Sequence, residues 1–337
     1  MLINHVKAVL CLAGLMGLLP GIAQAQGLKV ALQADDGSYF ARCNGCQKTV
    51  DNRFPDTITT HVTSPTQGAY AQFELISVGN GKIALKSDTG KFVGRCNGCI
   101  VGGAKPDSAT VHVTDSSQAF AQFTPVLLAN GKYGLKADTG KFLARCNGCS
   151  PGAAYPNTVT VHATDPNTEA YAQWRIIPLT FPTGTKIALQ ADDGKYFARC
   201  NGCQKTVDNR FPDTVTTHVA SPTEGAFAQF SVVNVGNGKI ALKSDTGKFV
   251  GRCNSCIVGG AKPDSATVHV TDSSQAFAQF TPVLLANGKY GLKADTGKFL
   301  ARCNGCSPGA AYPNTVTVHA TDANTEAYAQ WNIVFLP

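Results

Sequence analysis

Beyond residue 25 the chain of 337 residues lacks any apolar run near the roughly 20 residues that a membrane-spanning helix needs, which argues against membrane insertion. It also lacks a useful length of apolar residues at helical spacing, which argues against a mainly helical fold. Its formal net charge of +7 is spread along the chain without a basic cluster. Nucleic acid is therefore not expected as a partner.

The one long apolar stretch has the pattern of an export signal. Lys7 precedes apolar residues 8–23, and Ala23-Gln24-Ala25 has the small-x-small pattern of a cleavage site. We expect residues 1–25 to be a signal peptide that contains Cys11, and the exported protein to begin at Gln26. This predicts a secreted or periplasmic protein, in a compartment where disulfides form.

Twelve further cysteines form six C-x-x-C pairs, whose first members are 53, 50, 54, 53 and 50 residues apart. A shift of 157 residues superposes residues 27–180 on 184–337, with 17 differences at 154 positions. We therefore predict two domains, residues 26–180 and 184–337, each of three related units and long enough to form a core. Such similar halves allow domain-swapped species, and the oligomeric state is left open.

Each unit has four short strand patterns. In the third unit they cover residues 133–136, 141–145, 158–164 and 172–177, with turns at Asp-Thr-Gly and Asn-Gly. The alternation of residues 158–164 places His162 on the side opposite Val161, toward solvent. Four strands in three units predict twelve strands per domain and an all-β fold.

The segments "KIALKSDTGKFV" and "KYGLKADTGKFL", followed about 25 residues later by "AFAQF" or "AYAQW", recur through the whole exported chain. This pattern resembles the fascin-like branch of the β-trefoil family. The resemblance implies two tandem β-trefoil domains, each of three four-stranded repeats. Animal members of that family are cytosolic actin bundlers with four trefoils, so actin binding or bundling, or a structural matrix role, is one alternative function. A ricin-type Gln-x-Trp sugar motif is absent.

The C-x-x-C pairs predict local disulfides, because the Asn-Gly turn between the cysteines brings their Cα atoms within the reach of a disulfide. A single Ser replaces the glycine, at Ser255. The predicted bridges are Cys43–Cys46, Cys96–Cys99, Cys146–Cys149, Cys200–Cys203, Cys253–Cys256 and Cys303–Cys306.

Two alternatives for the pairs stay open. An arginine precedes every pair and suggests redox-active thiols with a lowered pKa, although no helix start or βαβ pattern accompanies them. One histidine follows each pair at 13 or 15 residues, which resembles half of a zinc signature and suggests zinc or copper bound by histidine and the paired cysteines. These histidines are His61, His112, His162, His218, His269 and His319.

The repetition argues for a binding protein rather than an enzyme, since a catalytic centre is normally unique in a domain. The repeated aspartates lie in turns, where they serve the backbone. We predict no cofactor and a multivalent binding protein, with carbohydrate or another cell-surface or matrix ligand as its partner. The candidate ligand residues lie in the long loops and are Arg53, Phe54, Tyr155, Asn157, Tyr312 and Asn314.

Overall fold

A computed structural model describes residues 27–336, so the predicted signal peptide lies outside the described residues. The described chain is all-β, with 24 strands and eight three-residue 3-10 helices. Within it, no helix is long and apolar enough to span a membrane. The predictions of an all-β chain and of four strands in each unit are confirmed.

The first domain holds twelve strands, three sets of four. They are β1 Leu28–Gln33, β2 Tyr39–Asn44, β3 Asp56–Val62, β4 Phe73–Gly79, β5 Lys82–Lys86, β6 Phe92–Asn97, β7 Asp107–Val113, β8 Thr124–Leu127, β9 Tyr133–Lys136, β10 Phe142–Asn147, β11 Asn157–Ala163 and β12 Arg175–Pro178.

The second domain repeats them. Its strands are β13 Lys186–Gln190, β14 Tyr196–Asn201, β15 Asp213–Val219, β16 Phe230–Gly236, β17 Lys239–Lys243, β18 Phe249–Asn254, β19 Asp264–Val270, β20 Thr281–Leu284, β21 Tyr290–Lys293, β22 Phe299–Asn304, β23 Asn314–Ala320 and β24 Asn332–Phe335.

Short 3-10 helices lie within or after the long hairpins. Two lie inside a hairpin loop, and six have the sequence Ala-aromatic-Ala before the fourth strand of a unit. They are Val50–Asn52, Ala69–Ala71, Ala119–Ala121, Ala170–Ala172, Val207–Asn209, Ala226–Ala228, Ala276–Ala278 and Ala327–Ala329. The predicted start of the fourth strand at Ala172 was therefore wrong, because Ala172 ends a helical turn and the strand begins at Arg175.

Six strands of the first domain form a closed barrel. The pairs β12–β1, β1–β4, β4–β5 and β8–β9 are antiparallel ladders, and single bridges Ile83–Phe123 and Tyr133–Trp174 complete the circle. The other six strands form the hairpins β2–β3, β6–β7 and β10–β11, and β3, β7 and β11 pair with one another. We call these hairpins the cap. The second domain repeats this trefoil-like topology.

Aromatic side chains fill the centre of each domain. Phe40 makes edge contacts with Phe73 and with Trp174, at ring-centroid distances of 5.1 and 5.5 Å. The buried indole of Trp174 donates a hydrogen bond to the carbonyl of Leu143, at 2.9 Å, so its polar group has a partner. Phe197, Phe230 and Trp331 repeat the cluster in the second domain.

The two domains pack directly against each other with pseudo-two-fold symmetry. Tyr133 of the first domain donates its hydroxyl to the carbonyl of Phe335, and Tyr290 of the second donates to the carbonyl of Pro178. A shift of 157 residues converts one of these hydrogen bonds into the other. The two domains therefore present the same surface to each other, as the subunits of a homodimer do at an isologous interface. The connecting Phe181 lies edge-on to the Tyr290 ring, at 5.6 Å.

Candidate functional site

All twelve cysteines of the described chain lie in local disulfides. Each joins the two members of one C-x-x-C pair, with Cα atoms 5.6 or 5.7 Å apart. Each bridge stands where the second strand of a unit enters the loop of its cap hairpin. We call these the cap loops, residues 45–55, 98–106, 148–156, 202–212, 255–263 and 305–313. The predicted disulfide pairing is present.

Backbone hydrogen bonds link the three cap loops of a domain into a ring. The amide of Val50 donates to the carbonyl of Cys99 at 2.9 Å, so the first loop holds the second. The amide of Ala104 donates to Cys149, and that of Ala154 donates to Cys46, both at 2.8 Å. Because each bond reaches a bridged cysteine, the disulfides fix the carbonyls to which the next loop is attached.

The arginine before each pair joins two units. Arg42 donates from Nε and Nη2 to both carboxylate oxygens of Asp88, in the turn of the next unit, at 2.7 and 2.8 Å. Arg95 binds Asp138 in the same two-bond geometry, and Arg145 closes the circle on Asp35. The second domain repeats these contacts.

The third nitrogen of the same arginine holds the cap hairpin. Nη1 of Arg42 donates to Asp56, and Nη1 of Arg145 donates to Asn157. The guanidinium of Arg42 therefore lowers the pKa of Asp88, while the carboxylates of Asp88 and Asp56 raise the pKa of Arg42. These arginines are committed to carboxylates, and the cysteines beside them are bridged.

Each histidine of the cap lies against an aromatic ring of its own unit. The rings of His61 and Tyr70 are nearly parallel, with centroids 6.2 Å apart, and His162 faces Tyr171 at 5.5 Å. Nδ1 of His61 is 2.6 Å from the hydroxyl of Thr59, a hydrogen bond that every histidine of the cap repeats with its own threonine. The histidines are half-buried rather than open to solvent as predicted for His162, because the aromatic side chain covers one face.

In two of three units the other face of the histidine receives an aromatic residue from a neighbouring cap loop. Tyr155, from the third loop, stacks on His61 with ring centroids 4.2 Å apart, and Phe54 lies 4.7 Å from His112. In the second domain Tyr312 stacks on His218 at 4.2 Å, and Phe211 lies 4.9 Å from His269. In the third unit, the loop position that corresponds to Phe54 and Tyr155 is Lys105. Burial lowers the pKa of His162, and the positive charge of Lys105 lowers it further.

The predicted ligand residues occupy three kinds of position. Phe54, Tyr155 and Tyr312 belong to the histidine stacks, and the last two are 38% and 39% exposed. Arg53 is exposed beside Asp51, whereas Asn157 and Asn314 accept hydrogen bonds from Arg145 and Arg302 and hold the loop. The structure thus brings residues of the ligand prediction and of the metal alternative together in the same stacks.

The histidines and the cysteines do not form a common cluster. Across residues 27–336, no group of three or more His, Cys, Asp or Glu side chains is arranged to hold a metal ion. The histidine nitrogen that is hydrogen-bonded faces a threonine, and the sulfur atoms bond each other.

Exposed apolar side chains concentrate on the cap loops, where Tyr155 and Tyr312 were predicted from the sequence and the valines were not. Of seven large hydrophobic residues exposed in the described chain, six lie in these loops. They are Val50, Val101, Tyr155, Val207, Val258 and Tyr312, and the seventh is Val126 in a barrel strand. The available signal was an apolar residue within loops otherwise rich in glycine, asparagine and lysine.

Comparisons with known proteins give structural similarity alone. No family model matches the chain, and no curated protein matches it. Similar solved structures include a mosquitocidal holotoxin, at 8% identity over 90% of this chain and 34% of the toxin, with a TM-score of 0.34. The designed three-fold symmetric protein ThreeFoil has 21% identity over 44% of this chain and 96% of its own, with a TM-score of 0.34.

A Polyporus squamosus lectin, solved with the glycan Neu5Acα2-6Galβ1-4GlcNAc, has 12% identity over 51% of this chain and 53% of its own, with a TM-score of 0.34. The chain spans about a third of the length of the holotoxin. Similarities of this size say nothing of ligand or activity.

Proposed function

We propose that this chain is an exported, non-enzymatic binding protein of two fascin-like β-trefoil domains, which recognises carbohydrate multivalently through its cap loops. The central sites are the Tyr155–His61 stack of the first domain and the Tyr312–His218 stack of the second. Neither site uses a cofactor.

The observation that carries this proposal is the concentration of exposed apolar side chains on the cap loops. Valine and tyrosine side chains that face water on a folded domain mark a surface on which a ligand gains from apolar contact. Tyr155 and Tyr312 are the exposed aromatic members of this group. Outside the cap loops of the described chain, Val126 is the only large hydrophobic residue that is comparably exposed.

The stacks have the chemistry that a sugar ring requires. A sugar has an apolar C–H face and polar edges, so it combines an aromatic contact with hydrogen bonds from groups around the ring. One face of Tyr155 is covered by His61 and the side chain remains 38% exposed, which leaves aromatic surface for the ligand. The disulfide and the loop hydrogen bonds hold this surface before binding, which reduces the entropy lost on association.

Two equivalent sites in one chain suit a ligand that is weakly bound at each. A glycan-coated surface engages both domains at once, and the second contact is then intramolecular. Single-domain binding is expected to keep the same specificity with a lower avidity, since the cap loops differ between the domains only at Gly98 and Ser255.

A glycan array tests the proposal. The wild-type chain is compared with the double variant Tyr155→Ala/Tyr312→Ala, and with Val126→Ala as a control that removes an exposed apolar side chain outside the cap loops. We expect a defined set of glycans to bind the wild type and the control but not the double variant. Absence of any glycan signal, or signal retained in the double variant, would reject carbohydrate binding at these stacks.

A further inference from the structure

One difference between the two domains introduces a charge at their boundary. Arg175, the first residue of β12, occupies the position that Asn332 holds in the second domain. Both residues pair with an equivalent glutamine of the barrel, Gln33 and Gln190 respectively. Almost every other charged group in the described chain has an equivalent in the second domain, so this arginine breaks the symmetry of the molecule.

We propose that Arg175 is the centre of a single oxyanion-binding site between the two domains, which takes the carboxylate of an acidic sugar or a free phosphate ion. This goes beyond the proposed function, because the site uses none of the residues of the histidine stacks.

Arg175 is incompletely satisfied by the protein. Its Nη1 donates to the carbonyl of Asn287, across the domain boundary, at 2.7 Å. Its Nε is buried and has no hydrogen-bond partner in the described chain, where no carboxylate lies within ion-pair distance of this side chain. A partly buried guanidinium with an unpartnered donor and no carboxylate is costly, and an anion bound beside it stabilises its charge.

Lysines add further positive charge to the same place. Lys132 lines the cavity beside Arg175, and Lys289 is its equivalent in the second domain. Burial, and then the charge of Arg175, lowers the pKa of both lysines, so each lysine lies within electrostatic reach of Arg175. An anion bound beside Arg175 relieves the repulsion between Arg175 and each of these two lysines.

The nearby carboxylates do not fill this role. Asp35 lines the cavity, but both of its oxygens accept hydrogen bonds from Arg145, at 2.7 and 2.8 Å. Asp192, close to Lys289, is held in the same way by Arg302. Each is already neutralised by its own arginine, so the charge of Arg175 is left for a ligand.

The cavity has the size of a small ligand. It is an open cleft of about 400 Å³, lined by residues of both domains, Gln33, Asp35, Lys132 and Arg175 on one side and Ala286 and Asn287 on the other. This volume accommodates one sugar residue or a phosphate with its water. The Nε2 group of Gln33 already donates to the carbonyl of Gly37 and to the hydroxyl of Tyr39, so Gln33 offers such a ligand its Oε1 as an acceptor for a hydroxyl group.

The second domain provides the matched control. At the equivalent position the side chain of Asn332 donates to Gln190 at 3.2 Å and carries no charge. The substitution Arg175→Asn therefore installs a residue that this fold already accepts at an equivalent place. One site per chain is predicted, in contrast to the two stacks.

Isothermal titration of the full chain tests this site with glucuronate, with glucose as the neutral counterpart, and with inorganic phosphate. We expect glucuronate or phosphate to bind with one site per chain, and glucose not to compete for it. Arg175→Asn is expected to weaken anion binding about ten- to hundredfold, because a charge-assisted contact is lost, while Arg175→Lys retains part of it. Thermal unfolding checks that each variant is folded.

The two probes separate the sources of the anion. Tighter binding of glucuronate assigns the site to an acidic sugar, and tighter binding of phosphate assigns it to the free ion. Binding unchanged in folded Arg175→Asn, or no binding of either anion at millimolar concentration, overturns the proposal. The double variant Tyr155→Ala/Tyr312→Ala leaves the Arg175 site intact. A failure of the anion-site proposal is therefore distinguishable from a failure of the proposed function.

Discussion

At the scale of single residues, the arginines show what sequence proximity conceals. Arg42, Arg95 and Arg145 each stand beside a cysteine, and this proximity suggested that their charge lowers the pKa of the thiol. In the structure they reach aspartates that lie 46, 43 and 110 residues away along the chain. Partners at such separations are set by the three-fold arrangement of the units and are not visible in the local sequence.

A conservative substitution tests this inter-unit contact. Arg95→Lys is expected to lower the free energy of unfolding by about 1–2 kcal/mol, because lysine cannot reproduce the two-bond geometry to Asp138 and the third bond to Asp107. The control is Arg53→Lys, whose side chain is 71% exposed and 3.7 Å from Asp51. Urea unfolding should show little change in the control, and equal stability of the two variants would contradict the assigned role.

Ser255 offers a second test at a single position. It adopts a left-handed backbone conformation with φ of 56°, where its equivalent in the first domain, Gly98, has φ of 66°. A serine is strained in this region and a glycine is not. We expect Ser255→Gly to stabilise the chain by about 1 kcal/mol.

The reciprocal substitution Gly98→Ser serves as the matched partner and should destabilise the chain by a similar amount. Both effects are read from denaturant midpoints at a constant slope. Destabilisation by Ser255→Gly would mean that the serine hydroxyl, which donates to the side chain of Asn254, contributes more than the strain costs.

At the scale of elements, the strands followed from the sequence, while the contacts between the cap loops did not. The alternating residues of "TVTVHAT" and the Asp-Thr-Gly turn placed β9, β10 and β11 within two residues of their observed bounds. The stacking of Tyr155 on His61 joins the third unit to the first, and only closure of the three units brings those loops together. Local disulfides were predictable because their geometry lies within one turn.

The histidine stacks predict a pH dependence of stability. Burial lowers the pKa of all six histidines below their ordinary value of 6.5. In the unfolded chain the histidines take up protons as the pH falls through about 6.5, while in the folded chain they remain neutral to lower pH. The free energy of unfolding is therefore highest above this value and falls as the pH is lowered from it.

Urea unfolding at about pH 7.5 and pH 5.5 measures this loss. The arginine-bound aspartates do not contribute in that window, since arginine holds the pKa of groups such as Asp88 below 3.8. NMR titration of the histidine rings assigns the effect to individual stacks. A stability that is constant or higher at the lower pH would contradict the burial of neutral histidines.

At the scale of the whole molecule, the two halves behave as the subunits of a dimer held in one chain. Gly131 and Gly288 lie at the boundary, where an added Cβ would come within 2.7 Å of Gln190 and Ile177 respectively. The sequence predicted two domains with a short connection, but it gave no sign of which surface they share. That surface carries Tyr133 and Tyr290, which also belong to the barrels.

Cleavage of the connection tests the interface. With a protease site inserted in residues 181–183, we expect the cleaved halves to stay together through size exclusion, at the mass of the intact chain. Tyr133→Phe/Tyr290→Phe removes the two hydroxyl contacts and should make separation occur at lower denaturant concentration. If the halves separate after cleavage in native buffer, the contact surface alone does not hold the two domains together.

The central claim is that ligand binds at one aromatic stack in each domain. It is tested most directly by calorimetric titration of the full chain with the strongest uncharged glycan from the array, which does not bind at the anion site of Arg175, in the wild type and in the variants Tyr155→Ala, Tyr312→Ala, their combination and Val126→Ala. We predict two sites in the wild type and in Val126→Ala, one in each single variant and none in the double variant. Two sites remaining in the folded double variant would contradict the claim that ligand binds at these stacks.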